Sequence, residues 1–458
     1  MKGKLAAVAA LAGGAALRAY GYLRRPKPLP THYSDATTKV VIVGGGFGGL
    51  AALNALVEAL NGEEGVGVLL LDRVNFTTFW PMVPAAISGN VEVGHVARSI
   101  RRVIQPLGAE FLQAEATDVD FEKREVHTTD GVYAYDYLLM APGSRTAYFG
   151  IPGAREHSLD LKDLSDALRI RNRIIDAFEE AERLGPEAPD DLLTFVFVGG
   201  GPTGVEAAAD TNDMIFDVLE GDYPNVNFDR VRLILINAGE HILKGIDPSL
   251  AHAAERRLAA QRVEVMNNAK VEEVTPESVK FSDGRTVGTR TTVWAAGIDP
   301  GPFVANLDVP KDDRGRIIVD EYLRVKDRPG VYALGDSARM DYGGPPIPAL
   351  AQAAEQQGEL AGSNLVAEIR GEDLRPFRYR SLGQLVDLGT ESALVDILGV
   401  KFAGLLGATV WKAVYFYELG SNLNRARVLF DWILDFFVRT DTSKLYESNE
   451  DWFGPDKK

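Results

Sequence analysis

Val43-Gly44-Gly45-Gly46-Phe47-Gly48-Gly49 is a glycine loop between a predicted strand and a predicted helix. The β-branched run that leads into it, residues 39–43, has the length of a short buried strand. Residues 50–60 follow with a helix-like pattern, and residues 66–71 form a second apolar run that ends at Asp72. This order predicts a βαβ unit of about 30 residues, one mononucleotide-binding half of a Rossmann-type fold.

The glycines of this loop have distinct expected roles. Gly44 allows the tight turn, Gly46 lets the backbone approach a pyrophosphate, and Gly49 lets the helix pack closely on the strand. The positive end of the helix then faces the phosphates. Asp72, at the end of the next strand, can accept hydrogen bonds from a ribose. The predicted dinucleotide contacts are Gly44, Gly45, Gly46, Phe47, Gly48, Gly49 and Asp72.

The same pattern returns 155 positions later (199 − 44), which is too far for a solenoid repeat and indicates a second dinucleotide-binding domain. Residues 193–198 predict the strand, residues 205–220 the helix and residues 231–236 the next strand. The predicted loop contacts are Gly199, Gly201, Pro202, Thr203 and Gly204.

Two polar residues of the second unit leave alternatives open. Its strand ends at Asn237 instead of an acid; the amide can bond a ribose hydroxyl but does not repel a 2′-phosphate. NADH and NADPH are therefore not distinguished, although Glu240 lies close by in the sequence. Glu206 follows the loop, and it either favours the helix N-terminus by its charge or touches the nicotinamide end of the ligand.

Three further strands are predicted to stop on glycines, where the backbone can come close to a ligand. Residues 137–140, 291–295 and 330–334 form these strands. The additional candidate cofactor contacts are Ala141, Gly143, Ala296, Gly297, Gly335 and Asp336.

The composition excludes several kinds of chemistry. The chain has 458 residues, a formal net charge of −16 and no cysteine. An acidic chain lacks the basic surface that nucleic acid requires. Without cysteine there is no thiolate metal site, Fe–S cluster or redox-active thiol, and six scattered histidines lead us to expect no metal site. Redox chemistry here must use a bound organic cofactor.

The two loops, together with the late motif Gly330-Val-Tyr-Ala-Leu-Gly-Asp-Ser337, resemble the two-dinucleotide-binding flavoproteins of the disulfide reductase superfamily. The resemblance implies FAD on the first loop, a nicotinamide nucleotide on the second, and a contact from Asp336 to the flavin ribityl chain. The missing cysteines exclude the disulfide reductases themselves and count against sulfide:quinone oxidoreductases.

Within that superfamily the chain resembles the type II NADH:quinone dehydrogenases. Ala351-Gln-Ala-Ala-Glu-Gln356 is similar to their quinone-site motif, and the tail around residues 411–432 is also similar. The resemblance implies a quinone near Gln352 and Gln356, whose i, i+4 spacing puts both amides on one helix face. An ordinary polar helix face is the alternative. Lys401 is expected near the flavin or the quinone, or else in solvent.

The tail also has the composition of a membrane-contacting surface. In residues 425–439 the charges Arg427, Asp431, Asp435 and Arg439 form one narrow stripe, and nearly all other residues are apolar. Aromatic residues and Lys412 lie upstream. Such a wide apolar face favours binding to a membrane surface, although a dimer interface or packing on the core would use it equally well. No segment has the roughly 20 apolar residues needed to span a bilayer.

We therefore predict an α/β protein with two Rossmann-like domains and a C-terminal membrane-associating region. The predicted divisions are an N-terminal leader or anchor (1–35), an FAD-binding domain in two parts (36–155 and 299–375), an NAD(P)H-binding domain (156–298) and the C-terminal region (376–458). The expected function is electron transfer from NADH to a membrane quinone without proton pumping. The alternatives are a soluble NAD(P)H-dependent reductase for a protein acceptor and a non-catalytic, nucleotide-sensing flavoprotein. We expect a homodimer that is peripheral on the cytoplasmic face of the cell membrane.

Overall fold

The computed structural model describes residues 26–340, 346–437 and 443–444. Most of the predicted leader, and Arg439 of the charged stripe, lie outside these residues. The part of the leader that is described packs against the body: Leu29 is buried, and its amide bonds the Leu107 carbonyl.

The first sheet is parallel and joins strands from both ends of the chain. Its order is Val331–Ala333, Tyr137–Met140, Thr38–Val43, Val66–Asp72 and Glu110–Gln113. The late strand therefore completes the sheet begun by the first glycine loop, as the sequence predicts for an FAD-binding domain in two parts. The domain limits themselves stay predictions.

The second sheet has the same construction. Its order is Leu159–Asp160, Thr291–Trp294, Thr194–Val198, Arg232–Ile236 and Val263–Met266, all parallel. The central strands of both sheets contain continuous buried apolar runs, residues 40–43 and 195–198, as expected when helices cover both faces of a parallel sheet.

Smaller sheets complete the molecule. Three are three-stranded: Ala116–Asp120 with Glu125–Thr128 and Gly131–Ala134; Val271–Thr275 with Ser278–Phe281 and Thr286–Gly288; and Gln384–Asp387 with Ala393–Ile397 and Val400–Phe402. The two-stranded pairs are Phe76–Thr78 with Ala97–Ser99, Arg145–Thr146 with Ile298–Asp299, and Ile317–Val319 with Ala338–Met340.

The α-helices of the described chain are Phe47–Leu60, Ala85–Ser88, Ile100–Ile104, Ala154–His157, Leu164–Leu184, Pro202–Asp213, Pro248–Ala260, Gly301–Asn306, Ala351–Arg370, Leu405–Glu418 and Asn422–Phe437. The helix predicted over 205–220 changes to a π-helical turn at Met214–Val218. Among the described residues, no helix combines the length and the apolar character needed to cross a membrane.

Helix Ala351–Arg370 lies unusually close to helix Phe47–Leu60 because glycines leave room at the contact. A Cβ on Gly358 would lie 2.2 Å from the Gly48 carbonyl oxygen, and one on Gly362 would lie 2.2 Å from that of Ala52. This packing fixes the Gln352 end of the long helix beside the first glycine loop.

Candidate active site

A cavity of about 1340 Å³ extends from the first glycine loop to the second unit and the C-terminal helices. The predicted cofactor contacts in its wall are Gly44, Gly45, Gly46, Phe47, Gly48, Asp72, Ala141, Gly143, Pro202, Thr203, Gly297, Gly335 and Asp336. Gly49, Gly199, Gly201, Gly204, Asn237 and Ala296 are not part of the wall. Of the predicted catalytic residues, Glu206 and Gln352 line the cavity, whereas Gln356 and Lys401 do not.

The first glycine loop has the geometry of a phosphate cradle. Gly44 has φ +102°, and a Cβ there would lie 2.1 Å from the Ala141 carbonyl oxygen. A Cβ on Gly49 would lie 1.8 Å from the Gly44 carbonyl oxygen, whereas Gly46 has nothing within 4 Å of that position. The open side of Gly46 is therefore free for a ligand, while the other two glycines are required by the packing.

Asp72 supports this loop directly. Its Oδ2 accepts a hydrogen bond from the Gly45 amide at 2.6 Å, and its Oδ1 accepts one from the Val74 amide at 3.0 Å. Burial nevertheless raises the pKa of the Asp72 carboxyl, because removal from water disfavours the charged form. The side chain borders the cavity and fixes the shape of the loop.

Asp336 lies at the centre of a polar group in the cavity wall. The Ser144 hydroxyl donates to Asp336 Oδ2 at 2.6 Å, and Lys162 Nζ lies 3.9 Å from the same oxygen. Burial lowers the pKa of Lys162, although Asp336 opposes the shift. Buried Gln357 accepts a hydrogen bond from the Gly335 amide at 2.7 Å. Sequence reasoning missed Ser144, Lys162 and Gln357.

The second glycine loop repeats the first in detail. Gly199 has φ +129°, a Cβ on Gly204 would lie 2.0 Å from the Gly199 carbonyl oxygen, and Gly201 is open. Asn237 occupies the place that Asp72 has in the first unit, since a Cβ on Gly200 would meet its side chain at 2.7 Å. The Asn237 amide group donates to the Gly239 carbonyl at 3.0 Å.

Glu206 is buried within the wall of the cavity. Its Oε1 accepts a hydrogen bond from the Asp387 amide at 3.1 Å, and burial raises its pKa well above the ordinary value. The helix begins at Pro202 and has no side-chain cap. Glu206 is the fifth residue of this helix, beyond the first turn in which a charge favours the N-terminus most, and it links the second unit to strand Gln384–Asp387.

Three further carboxyl groups continue inward from Glu206. Asp210 and Asp213 are 1% and 7% exposed. Burial raises the pKa of Asp213 to about 6 and that of Asp387 to about 7, and it raises the pKa of Asp210 as well. The Oδ2 atom of Asp210 has no hydrogen-bond partner among the described residues. We call Glu206, Asp210, Asp213 and Asp387 the buried carboxyl cluster, of which Asp387 is the partly exposed member.

The buried carboxyl cluster reaches a second, smaller cavity. This space of about 20 Å³ borders Asp387, Thr390, Lys412 and Asn90, and it is large enough for about one water molecule. The Thr390 amide donates to Asp213 Oδ2 at 2.6 Å. The carboxyl groups therefore extend from the wall of the main cavity to a water-sized space on the other side.

Gln352 and Gln356 lie on one helix face, as predicted, but each amide is engaged with the backbone. Gln352 donates to the Gly383 carbonyl at 2.8 Å and accepts from the Leu382 amide at 3.0 Å. Gln356 donates to the Arg380 carbonyl at 2.9 Å and accepts from the Arg380 amide at 3.0 Å. Together they hold residues 380–383 against the helix, and Gln352 also borders the cavity.

Comparisons with known proteins agree with this geometry. The family model described as pyridine nucleotide-disulphide oxidoreductase matches residues 38–358, and the NDH2 C-terminal domain matches residues 382–441. The chain is 31% identical to the type II NADH:quinone oxidoreductase NdhA of Mycobacterium tuberculosis, over 88% of this chain and 87% of that protein. The chain belongs to the type II NADH:quinone oxidoreductase family. The resemblance inferred from the sequence motifs is therefore confirmed.

Other members of this family are similar to the chain over comparable lengths. It is 31% identical to the internal alternative NAD(P)H-ubiquinone oxidoreductase A1 of Arabidopsis thaliana, over 89% of this chain and 86% of that protein. The structure of NDH2 from Plasmodium falciparum in complex with NADH has a TM-score of 0.80 at 21% identity. That match covers 89% of this chain and 99% of that one, and it supports the same fold.

In this oxidoreductase Lys401 does not reach the cavity. It lies on strand Val400–Phe402 and forms an ion pair with Asp247, the N-cap residue of helix Pro248–Ala260. The expectation of a position near the flavin or the quinone is therefore not met, and the partly exposed ion pair is closer to the solvent alternative. The lysine ties the C-terminal sheet to the second unit.

The C-terminal region of the oxidoreductase exposes several large apolar side chains and turns some polar ones inward. The large apolar residues exposed in this region are Leu398, Leu405, Leu406, Leu423, Leu429, Phe430, Ile433 and Leu434. Asp431 instead turns toward the body, where its Oδ2 lies 2.6 Å from His95 Nδ1, and Asn424 is buried. Trp411, expected at an aqueous–membrane boundary, is also buried.

A cluster that the sequence did not indicate lies outside the cavity. His241, His252 and Glu255 bring their ligand atoms within 4.8 Å of one another. The histidines are 11 residues apart and come from a loop and a helix, so only the fold brings them together.

Proposed function

We propose that this protein is an FAD-dependent oxidoreductase that transfers electrons from NADH to a membrane quinone without pumping protons. The observation that carries the proposal is the continuous cavity, which borders the first glycine loop, Thr203 and Glu206 of the second unit, and Tyr415 of the C-terminal helices. One space therefore adjoins the regions expected for flavin, nicotinamide and acceptor. The family relatives named for NADH and quinone or ubiquinone support the same assignment.

The first unit fits FAD. The open Gly46 face and the helix N-terminus at Phe47 suit a pyrophosphate, and Asp336 with Ser144 offers polar atoms to the ribityl chain. FAD held by these residues would supply the redox chemistry that links a two-electron donor to the acceptor. The chain's own part is to orient the rings and to exclude water, since no side chain need act as a nucleophile.

The second unit fits a nicotinamide nucleotide through the same glycine geometry. Thr203 and Pro202 reach the cavity wall, where the nicotinamide end has to meet the flavin. Asn237, which we expect near the adenosine end of the nucleotide, carries no negative charge. We therefore propose that NADPH is accepted as well as NADH.

The buried carboxyl cluster, which includes Glu206, can deliver a proton that the proposed reaction requires. NADH supplies two electrons and one proton as hydride, whereas reduction of a quinone to a quinol consumes two protons. The second proton has to enter from solvent. We assign this transfer to the cluster, because burial raises the pKa of Asp213 to about 6 and that of Asp387 to about 7, and because the carboxyl groups extend from the small cavity to the main one.

Gln352 and Gln356 act in this proposal as positioning residues. Their amides fix residues 380–383, and Leu382 and Gly383 line the cavity. The acceptor would then meet a wall segment held in place by the two glutamines. This differs from direct recognition of the quinone carbonyls by free amides.

The C-terminal helices support contact with a membrane surface. A helix that turns Leu429, Phe430 and Ile433 outward while Asp431 faces the body has its apolar side available to lipid. We propose monotopic, peripheral binding on the cytoplasmic face of the cell membrane. A homodimer is part of the same proposal, with its contact elsewhere than on this face.

Stopped-flow spectroscopy with alternative acceptors tests the function. The flavin of the purified protein should be reduced by NADH and then reoxidised by quinone in detergent micelles. Rapid reduction followed by reoxidation only by a ferredoxin-type protein would establish the soluble reductase instead. Bound flavin that NADH does not reduce would establish the nucleotide-sensing alternative.

A further inference from the structure

His241, His252 and Glu255 form a compact group of metal-ligating atoms on the second unit. Glu255 Oε1 lies 3.7 Å from His241 Nδ1, and Glu255 Oε2 lies 3.3 Å from His252 Nδ1. The two imidazole rings are 5.1 Å apart and nearly perpendicular. Ligand atoms around a tetrahedral zinc ion with bonds of about 2.0 Å are about 3.3 Å apart. The group therefore needs only small side-chain rotations to surround an ion.

The chemistry of the ligands selects the class of ion. Two imidazoles and one carboxylate suit Zn²⁺ and its neighbours among the divalent transition metals, whereas Mg²⁺ and Ca²⁺ prefer oxygen alone. The histidine side chains are about half exposed, at 52% and 50%, so an ion has direct access from solvent. Glu240 Oε1, 3.9 Å from His241 Nε2, adds negative charge at the same place.

The position of the group connects it to the nucleotide loop. Glu255 Oε1 accepts a hydrogen bond from Asn267 Nδ2 at 3.1 Å, and Asn267 Oδ1 accepts one from Asn237 Nδ2 at 2.7 Å. The loop that carries His241 is also tied to the second glycine loop, because the Leu243 amide donates to the Gly200 carbonyl at 2.6 Å. Two routes therefore lead from the group to the adenosine end of the nucleotide site.

We propose that His241, His252 and Glu255 bind one Zn²⁺-class ion and that the bound ion shifts nucleotide preference toward NADPH. The second part rests on the function proposed above. A doubly charged cation at Glu255, which is linked to Asn237 through Asn267, attracts the 2′-phosphate that NADPH carries and NADH lacks. Across partly exposed surface at a separation of several ångströms, this corresponds to roughly a two- to fivefold change in relative affinity.

Zinc titration of the purified holoenzyme against a chromophoric chelator tests the site itself. We expect one saturable Zn²⁺ per chain in the wild type, with at least tenfold weaker binding in His241→Ala and in His252→Ala. His32→Ala is the matched control, because His32 is also exposed and also lies 3.3 Å from a carboxylate, that of Glu110. Equal zinc affinity in all four proteins, or no saturable binding in the wild type, overturns the site.

Nucleotide kinetics test the coupling separately. Addition of Zn²⁺ should lower the ratio of KM for NADPH to KM for NADH in the wild type and in His32→Ala, and leave the ratio unchanged in His252→Ala. An unchanged ratio in a wild-type protein that binds zinc overturns the coupling and leaves the site intact. Because the zinc titration needs no turnover, failure of the proposed function would not affect it.

Discussion

Replacement of Asp387 by asparagine should make the protein more resistant to unfolding as the pH rises. Asp387 belongs to the buried carboxyl cluster, and burial, with the nearby charge of Asp213, raises its pKa from 3.8 to about 7. The folded state therefore keeps a proton that the unfolded state has already released between these two values. Stability then falls as the pH increases through this window, because the unfolded state binds fewer protons than the folded state.

The size of the effect follows from the same pKa values. Each tenfold change in proton affinity corresponds to about 1.4 kcal/mol, so the ionised side chain costs on the order of 4 kcal/mol above pH 7. The stabilisation of Asp387→Asn relative to the wild type should therefore be larger at pH 8 than at pH 5 by about 3 kcal/mol. This is an upper value, because the neighbouring carboxyl groups titrate more readily once the charge at Asp387 is gone. Asparagine has nearly the same shape and no charge.

Guanidinium unfolding at pH 5 and pH 8, followed by tryptophan fluorescence, measures this difference. The variant should gain stability relative to the wild type mainly at pH 8. Asp229→Asn provides the control, since the Asp229 side chain is 90% exposed, and it should follow the wild type at both values. If Asp387→Asn changes the unfolding free energy equally at pH 5 and pH 8, Asp387 is charged throughout this range and the reasoning is wrong.

Four further predictions concern the cavity and the C-terminal helices. Glu206→Gln should leave reduction of the flavin by NADH within about twofold of the wild type and slow its reoxidation by quinone at least tenfold, because general acid–base groups contribute roughly 10²–10⁴; stopped-flow absorbance separates the two steps. Gln356→Ala should lower the unfolding free energy by about 1–2 kcal/mol through two lost hydrogen bonds and raise KM for the quinone, and an unchanged KM would argue against the positioning role. Phe430→Glu should weaken binding to liposomes in a flotation assay, whereas Val132→Glu, at another exposed apolar residue, should not. Asn237→Asp should raise KM for NADPH at least tenfold with little change for NADH, because like charges repel, and equal effects on both nucleotides would contradict this placement.

The glycine loops and both parallel sheets were predictable from the sequence, because their causes are local. Gly44 and Gly199 have a positive φ and no room for a Cβ. Positions of this kind require glycine, so they can be recognised in the sequence. The order of buried strand, loop and helix then determines the βαβ unit. The late strand could also be predicted, since the apolar run before Gly335-Asp336 has the pattern of a strand that ends on a glycine, and it does pair in the first sheet.

The candidate site was less predictable, since most of its contacts join distant parts of the chain. Lys162 has no pattern around it that distinguishes it from a solvent lysine, and only the fold brings it to 3.9 Å from Asp336. Lys401 was considered for a position near the flavin or the quinone, but it pairs with Asp247. No local pattern indicates this partner, because Asp247 is 154 positions away in the sequence. Glu206 and Asp210, by contrast, are spaced as one helix face, a signal that could have indicated part of the buried carboxyl cluster.

The two glutamines show that one motif can support two different mechanisms. Two amides at i, i+4 spacing are equally suited to a ligand carbonyl and to a backbone peptide group, since both present the same donor and acceptor atoms. In the folded chain the backbone of residues 380–383 takes these positions, with four hydrogen bonds between 2.8 and 3.0 Å. Each amide keeps a second N–H and a second lone pair, but Gln356 does not border the cavity, and a quinone at Gln352 would meet an amide already bonded to residues 382 and 383 of the wall. The motif is therefore better explained as the support of the acceptor wall than as its ligand-binding surface, and the Gln356 variant, altered at a residue outside the cavity, distinguishes the two.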